Sequence, residues 1–266
     1  MYVLRKIYCR AFQLAFRAAL PFLPYRNPEI ISSDAEIPAV LRKHELQKVM
    51  IVTDAGIRKL GLTSFLEKTL AEEGIGYCIY DRTVANPTIW NVEEAKDLYL
   101  KEGAQALIAF GGGSSMDCAK AAGARIVKPR QSIRQMKGLL KVHKKLPLLI
   151  AIPTTAGTGS ETTLAAVITD SEKHYKYPIN DFSLIPRYAV LDYHETVGLP
   201  KSITATTGMD ALTHAVEAYI GGSTTRETRK MAEKAVYLVH QYLKRAYDNG
   251  HDKEARKGML KAAYYA

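Results

Sequence analysis

Cysteine is scarce in this 266-residue chain: Cys9, Cys78 and Cys118 stand far apart with no Cys-x-x-Cys pairing. That spacing excludes a disulfide framework or a thiolate metal site and fits a reducing, cytoplasmic compartment. No apolar run approaches the roughly 18 residues of a spanning helix. The nearest candidate, residues 1–24, carries Arg17 inside its apolar part, has Pro21 and Pro24 behind it and offers no small-residue cleavage site, features that argue against an export signal. An amphipathic helix docked on the domain or at a subunit contact is expected instead. Arg5, Lys6, Arg10 and Arg17 beside aromatic residues leave a membrane-surface role as the weaker alternative. Acidic residues are missing altogether from Cys118 to Ser160, a stretch holding nine Lys or Arg residues that nearly accounts for the formal charge of +10. A solvated loop and helix face is the expectation for it, ahead of phosphate steering, and no nucleic-acid partner is expected.

What is present is an ordinary globular composition, 47% hydrophobic, enough for one large or two modest cores. From Lys48 short apolar runs alternate with helical patterns, the mark of stacked βα units around a largely parallel sheet, an α/β fold. Strands are predicted over 48–53, 76–80, 105–110 and 148–152, and helices over 63–73 and 92–102. After Asp192 the pattern becomes helical: about 202–220, 225–247 and 252 to the end. The predicted division is 1–200 for the α/β domain and 201–266 for a partial helical one.

Three stretches carry chemistry. The strand 105–110 runs into Gly111-Gly-Gly-Ser-Ser-Met-Asp117, where glycines let backbone N–H groups approach an anion facing the next helix's N-terminus. It is not a G-x-G-x-x-G fingerprint. A second loop, Pro153-Thr-Thr-Ala-Gly-Thr-Gly-Ser-Glu161, follows the strand 148–152, and neighbouring parallel strands would set both loops along one crevice. Third, Asp210 and His214 stand four apart on a helix, sharing a face that suits one borderline divalent ion such as Fe, Zn, Co or Ni. Such a pair is equally a surface ion pair.

Gly111-Gly-Gly-Ser-Ser-Met-Asp117, Ile152-Pro-Thr-Thr-Ala-Gly-Thr-Gly-Ser-Glu161 and Gly208-Met-Asp-Ala-Leu-Thr-His-Ala-Val-Glu217, with the weaker Asn86-Pro-Thr88, occur in an order that resembles the iron-containing, or group III, alcohol dehydrogenase family. The resemblance implies a Rossmann-like dinucleotide-binding domain, the start of an all-helical domain, and metal-assisted hydride transfer between NAD and a primary alcohol or aldehyde. It implies Asp210 and His214 as ligands of Fe2+, or alternatively Zn2+. Gly112, Gly113, Ser114 and Asp117 match positions lining the cofactor pyrophosphate; Thr154, Thr155 and Thr158 match those reaching the ribose and nicotinamide end. Asn86 matches a residue near the cofactor, and Lys176 resembles the lysine that approaches the nicotinamide ribose. A homo-oligomer, a dimer by the family's pattern, is implied for the full-length form. Asp54, at a strand's carboxyl end, is positioned to bond a ribose 2′-OH and repel a 2′-phosphate, so NAD is expected over NADP.

A glycerol-dehydrogenase or dehydroquinate-synthase-like enzyme, or a catalytically incompetent dinucleotide-binding or assembly module, are the alternatives. Cys118 is expected to pack as a small hydrophobe, and His44, His143, His174 and His194 to be exposed. A catalytic ion of this class takes at least three protein ligands. Two further histidines expected from the resemblance are absent; His240, expected at the edge of a core, and His251, in a polar turn, are poor substitutes. Truncation is therefore expected, with weak metal retention.

Overall fold

The computed structural model describes residues 2–19, 22–222 and 224–266. Pro21, one of the residues argued against an export signal, and the side chain of Arg17 lie outside the described part. Six parallel strands form the central sheet in the order β1 (Glu29–Ile31), β9 (Tyr188–Val190), β6 (Leu148–Pro153), β4 (Ala106–Gly111), β2 (Lys48–Val52), β3 (Gly76–Tyr80). The middle strands are continuous apolar runs because both sheet faces are covered. Alternation along β2 divides the core: Val49 and Ile51 pack with Leu41 of α2 (Ile37–Lys43), Ile57 of α3 (Ala55–Lys59) and Leu66 and Leu70 of α4 (Ser64–Glu72). Met50 and Val52 face the other way, onto Val92 and Ala95 of α5 (Ile89–Glu102) and Met116 and Ala119 of α6 (Gly113–Val127).

The predicted strands all form, and the differences have local causes. A short strand precedes Lys48: β1 pairs in parallel with β9 at one edge of the sheet, while β2 lies between β4 and β3. Helix α5 starts at Ile89, three residues before the predicted Val92, because the Thr88 side chain caps it while Asn91 bonds back to the Thr88 N–H. A second, three-stranded sheet was not expected: β5 (Gly138–Leu139) pairs in parallel with β8 (Tyr175–Asn180), which pairs antiparallel with β7 (Ala165–Asp170). Between β9 and the helical portion lies α8 (His194–Val197). The chain ends in α9 (Lys201–Ile220), α10 (Arg226–Asp248) and α11 (Lys253–Tyr265), which pack on one another through Ala211, Val239, Met259 and Ala263. Close approach of α9 and α10 depends on Gly208, where a Cβ would fall 2.2 Å from Leu243.

The basic stretch is only partly the solvated face expected. Lys120 is fully buried, Arg125 pairs with Glu93 at 2.6 Å, and Arg134 pairs with Asp170 at 2.6 Å and also with Glu172. Short α7 (Ile133–Met136) turns that segment toward β5. At the N-terminus, α1 (Tyr2–Ala19) forms, and among its described apolar side chains Ile7, Tyr8 and Leu14 are exposed rather than packed on the domain. Among the described residues no helix is long and apolar enough to cross a membrane.

Three carboxylates gather past the carboxyl ends of β1 and β9. Burial pushes Asp34 up to about 6 and Glu195 up to about 8, each raised further by Asp192 nearby. Asp34 Oδ2 and Glu195 Oε2 are buried without partners. Both groups hold a proton more tightly folded than unfolded, so between roughly pH 4 and 8 the folded state binds more protons and stability falls as pH rises. Thermal melts at stepped pH should show the midpoint dropping through pH 6–8, with Glu195→Gln flattening the drop; an unchanged slope in the variant would refute the assignment.

Candidate cofactor site

The sheet order reverses between β2 and β4, since the chain runs from β2 outward to β3 and then returns to the far side of β2. Open α/β sheets hold ligands outside the strand carboxyl ends at such a switch point. Here those ends are Thr53-Asp54 after β2 and Gly111-Gly112 after β4. Gly111 has φ 148°, a region disfavouring side chains, and a Cβ there would lie 2.6 Å from Ser115 Oγ. A Cβ on Gly113 would come 2.9 Å from Thr158 Cγ2, and one on Gly112 3.4 Å from Thr155 Oγ1. The glycines thus let the first loop and the second, 153–161, close on each other. A bond from the Thr154 N–H to the Gly111 carbonyl (3.0 Å) ties them.

Helix α6 opens on this crevice with Gly112 as N-cap, no side-chain acceptor for its first N–H groups and no acidic residue in its first turn. Ser115 Oγ is buried there without a partner. An uncapped positive helix end with an orphaned hydroxyl fits an anionic phosphate. Two more of the predicted residues meet at its rim. Lys176 Nζ donates to Asn86 Oδ1 at 2.7 Å, and the Asn86 N–H donates to Ser114 Oγ at 3.2 Å, with Asn86 in the left-handed region at φ 58°. Lys176 lies on β8 of the small sheet, which the sequence did not foretell.

Asp117 is turned inward. Its Oδ1 accepts from Ser160 Oγ (2.9 Å) and its Oδ2 from the Val167 N–H (3.0 Å), while burial raises its pKa. Both oxygens fix the second loop and β7 against α6. Asp54 sits partly exposed at the N-cap of α3, where one oxygen accepts from the Ile57 N–H at 3.0 Å. Beneath the two loops Lys120 is enclosed: its ammonium donates to Ser160 Oγ (3.1 Å), the Thr163 carbonyl (2.9 Å) and hydroxyl (3.0 Å), and the Ala165 carbonyl (2.9 Å). Glu161 is buried alongside with Oε1 unpartnered, its pKa raised to about 7 by burial, while burial lowers Lys120 to about 8. Sequence reasoning missed this cluster, because a lysine after a glycine-rich loop reads as a solvated cation. Cys118 packs as expected: burial raises its thiol to about 12, so it offers no thiolate.

The second loop also reaches the helical portion. A Cβ on Gly157 would lie 2.7 Å from Thr207 of α9, and Gly159, at φ 58°, abuts the Ala263 carbonyl of α11. Thr207 is one turn before Asp210, so the α9 face bearing the candidate metal pair borders the crevice. Asp210 Oδ1 and His214 Nε2 are 3.8 Å apart, each about two-fifths exposed. Among the described residues no group of three or more His, Cys, Asp or Glu side chains could hold a metal ion. Two donors fall short of the three a catalytic ion needs, so the residues present do not complete a metal site. His240 is exposed rather than at a core edge, lining a shallow cleft with Met209, Leu212 and Leu243. His194 bonds Asp192 at 2.7 Å and His44 bonds the Tyr188 hydroxyl at 3.0 Å, both on the surface as expected.

An α/β sheet with glycine-rich loops and an uncapped helix N-terminus at its switch point has the arrangement on which open α/β sheets hold ligands. Residues 29–193 match the model of the family described as iron-containing alcohol dehydrogenase, and residues 204–266 match that of the Fe-containing alcohol dehydrogenase family, C-terminal. Alcohol dehydrogenase 4 of Schizosaccharomyces pombe is 42% identical over 230 residues, 86% of this chain and 54% of that protein. An NAD-dependent methanol dehydrogenase of Bacillus methanolicus is 39% identical, with 87% and 60% covered. The structure of an alcohol dehydrogenase from Oenococcus oeni superposes with a TM-score of 0.86 at 34% identity, over 91% of this chain and 65% of that one. The chain belongs to the iron-containing alcohol dehydrogenase family. It spans little more than half the length of the curated relatives it matches.

Proposed function

We propose that this chain carries the NAD-binding part, residues 1–200, and two metal-ligating side chains on a partial helical domain, 201–266, of an alcohol dehydrogenase acting on a primary alcohol or aldehyde. The observation that carries the reading is the uncapped α6 N-terminus framed by Gly111 to Gly113 at the switch point. Gly112, Gly113 and Ser114 would receive the pyrophosphate, with the orphaned Ser115 hydroxyl beside them. Thr154, Thr155 and Thr158 would line the far end of the cofactor, and the Lys176–Asn86 pair would meet its ribose. Asp117 acts as a positioning residue, since both its oxygens are engaged within the protein. Bound NAD supplies the hydride acceptor for the carbinol carbon. The chain's own part is to hold the cofactor and present the α9 face beside it. Asp210 and His214 are the proposed donors to Fe2+ or Zn2+. The three unpaired cysteines support a cytoplasmic setting, and the apolar surface on α9 and α10 an oligomeric full-length form.

Calorimetric titration of the chain with NAD tests the reading directly. Binding is expected, and Gly113→Val should abolish it by driving a side chain into Thr158; equal affinity in the variant would sink the placement. Cofactor choice depends on Asp54. A carboxylate near a 2′-phosphate costs at least ~1.4 kcal/mol, so Asp54→Gly should shift the NAD to NADP affinity ratio about tenfold toward NADP. Glycine is tolerated at an N-cap for a few tenths of a kcal/mol, so α3 survives the change. An unaltered ratio would remove Asp54 from the site.

A further inference from the structure

We propose that α1 is an interfacial anchor that lays this chain on an anionic lipid surface. Residues 1–28 hold five Lys or Arg residues and no Asp or Glu; the first acid is Glu29, where the match to the family model also begins. The helix is therefore an addition to the shared fold and needs a purpose of its own. Its sequence divides by helical spacing into a polar stripe through Lys6, Arg10 and Gln13 and a broad apolar face through Ile7, Tyr8, Ala11, Leu14 and Ala18.

The structure orients those faces. Arg10 Nη1 donates to Gln13 Oε1 at 3.1 Å and lies 3.4 Å from where a Cβ on Gly222 would stand, so the Arg10–Gln13 part of the polar stripe borders the protein body. The apolar side points away: Ile7 is 60% exposed, Tyr8 70% and Leu14 68%. Arg26 fastens the segment that follows, donating to the Pro186 carbonyl at 2.7 Å, while Tyr25 meets Phe182 edge-on at 6.5 Å. A basic helix with an outward apolar face, not long and apolar enough to span, lies in the plane of a bilayer. Ile7, Tyr8 and Leu14 would enter the acyl boundary, and Arg5 and Lys6 would meet anionic headgroups at the helix flanks.

The test is co-sedimentation of the full chain with vesicles of phosphatidylcholine alone or mixed with phosphatidylglycerol. Binding should require the anionic lipid and weaken as salt rises from ~0.1 to ~0.5 M. At roughly fivefold per basic residue, Arg5→Glu with Lys6→Glu should cut partitioning at least about tenfold. Tyr8→Asp with Leu14→Asp should do the same by removing the apolar contact, with melting unchanged because these side chains are exposed. Equal binding to neutral vesicles, no binding to anionic ones, or indifference to both variants would overturn the proposal. So would a dimer in solution that Tyr8→Asp with Leu14→Asp converts to monomer, since a second copy would then cover the face.

Discussion

Lys120→Met should lower the stability of the chain by roughly 3–5 kcal/mol, the cost of removing one member of a buried charged set. Lys120 is the cation that faces both buried acids, Asp117 and Glu161, and its ammonium serves four oxygen acceptors on Ser160, Thr163 and Ala165. Methionine fills the volume but leaves those acceptors unmet and Glu161 without a countercharge. For a chain of this size the melting midpoint should fall by roughly 6–20 °C. The same change frees the second loop, so NAD affinity should drop along with stability. Urea unfolding and NAD titration of the variant check both. A double change, Lys120→Met with Glu161→Gln, should recover part of the lost stability, because the stranded acid is then neutral. If Lys120→Met melts like the parent chain, the lysine is not the pin between the two loops.

The contrast between that lysine and the glycines above it shows what the sequence makes legible. Gly111 to Gly113 can be read because their role follows from the lack of a side chain after a buried strand, a local property. Strands β2, β4 and β6 can be read for a similar reason: both sheet faces are covered, so the runs Val49 to Val52 and Leu107 to Phe110 are apolar throughout. Lys120 resists reading because its acceptors lie some forty residues downstream, and nothing near it signals that they will fold over it. The small sheet is hidden likewise. Tyr175-Lys-Tyr-Pro-Ile-Asn180 alternates exposed and buried positions with Pro178 inside it, which reads as a turn until Ala165 to Asp170 pairs with it. The meeting of Asn86, Ser114 and Lys176 depends on that sheet, so three residues proposed separately become one rim only in three dimensions.

Metal retention should be weak in the 266-residue chain. Structural zinc sites of four ligands are worth about 10–16 kcal/mol, or roughly 2.5–4 per ligand. Asp210 and His214 together then give about 5–8 kcal/mol, a dissociation constant between about a micromolar and a few hundred micromolar. Their 3.8 Å approach and partial exposure add nothing further, since water competes for the open positions. Equilibrium dialysis against Zn2+ or Co2+ should therefore give half-occupancy in that range and no metal surviving desalting. His214→Ala should weaken it at least tenfold more, with NAD titration unchanged, because the anion cradle on α6 shares no side chain with α9. Joining the C-terminal helices of a family relative after Ala266 tests whether further donors complete the set; retention should rise by several orders of magnitude and again vanish with Asp210→Ala or His214→Ala. One metal per unextended chain held at nanomolar free concentration would refute the two-donor account. Loss of that tight binding in His240→Ala would then bring α10 into the site, through the cleft it lines beside Met209.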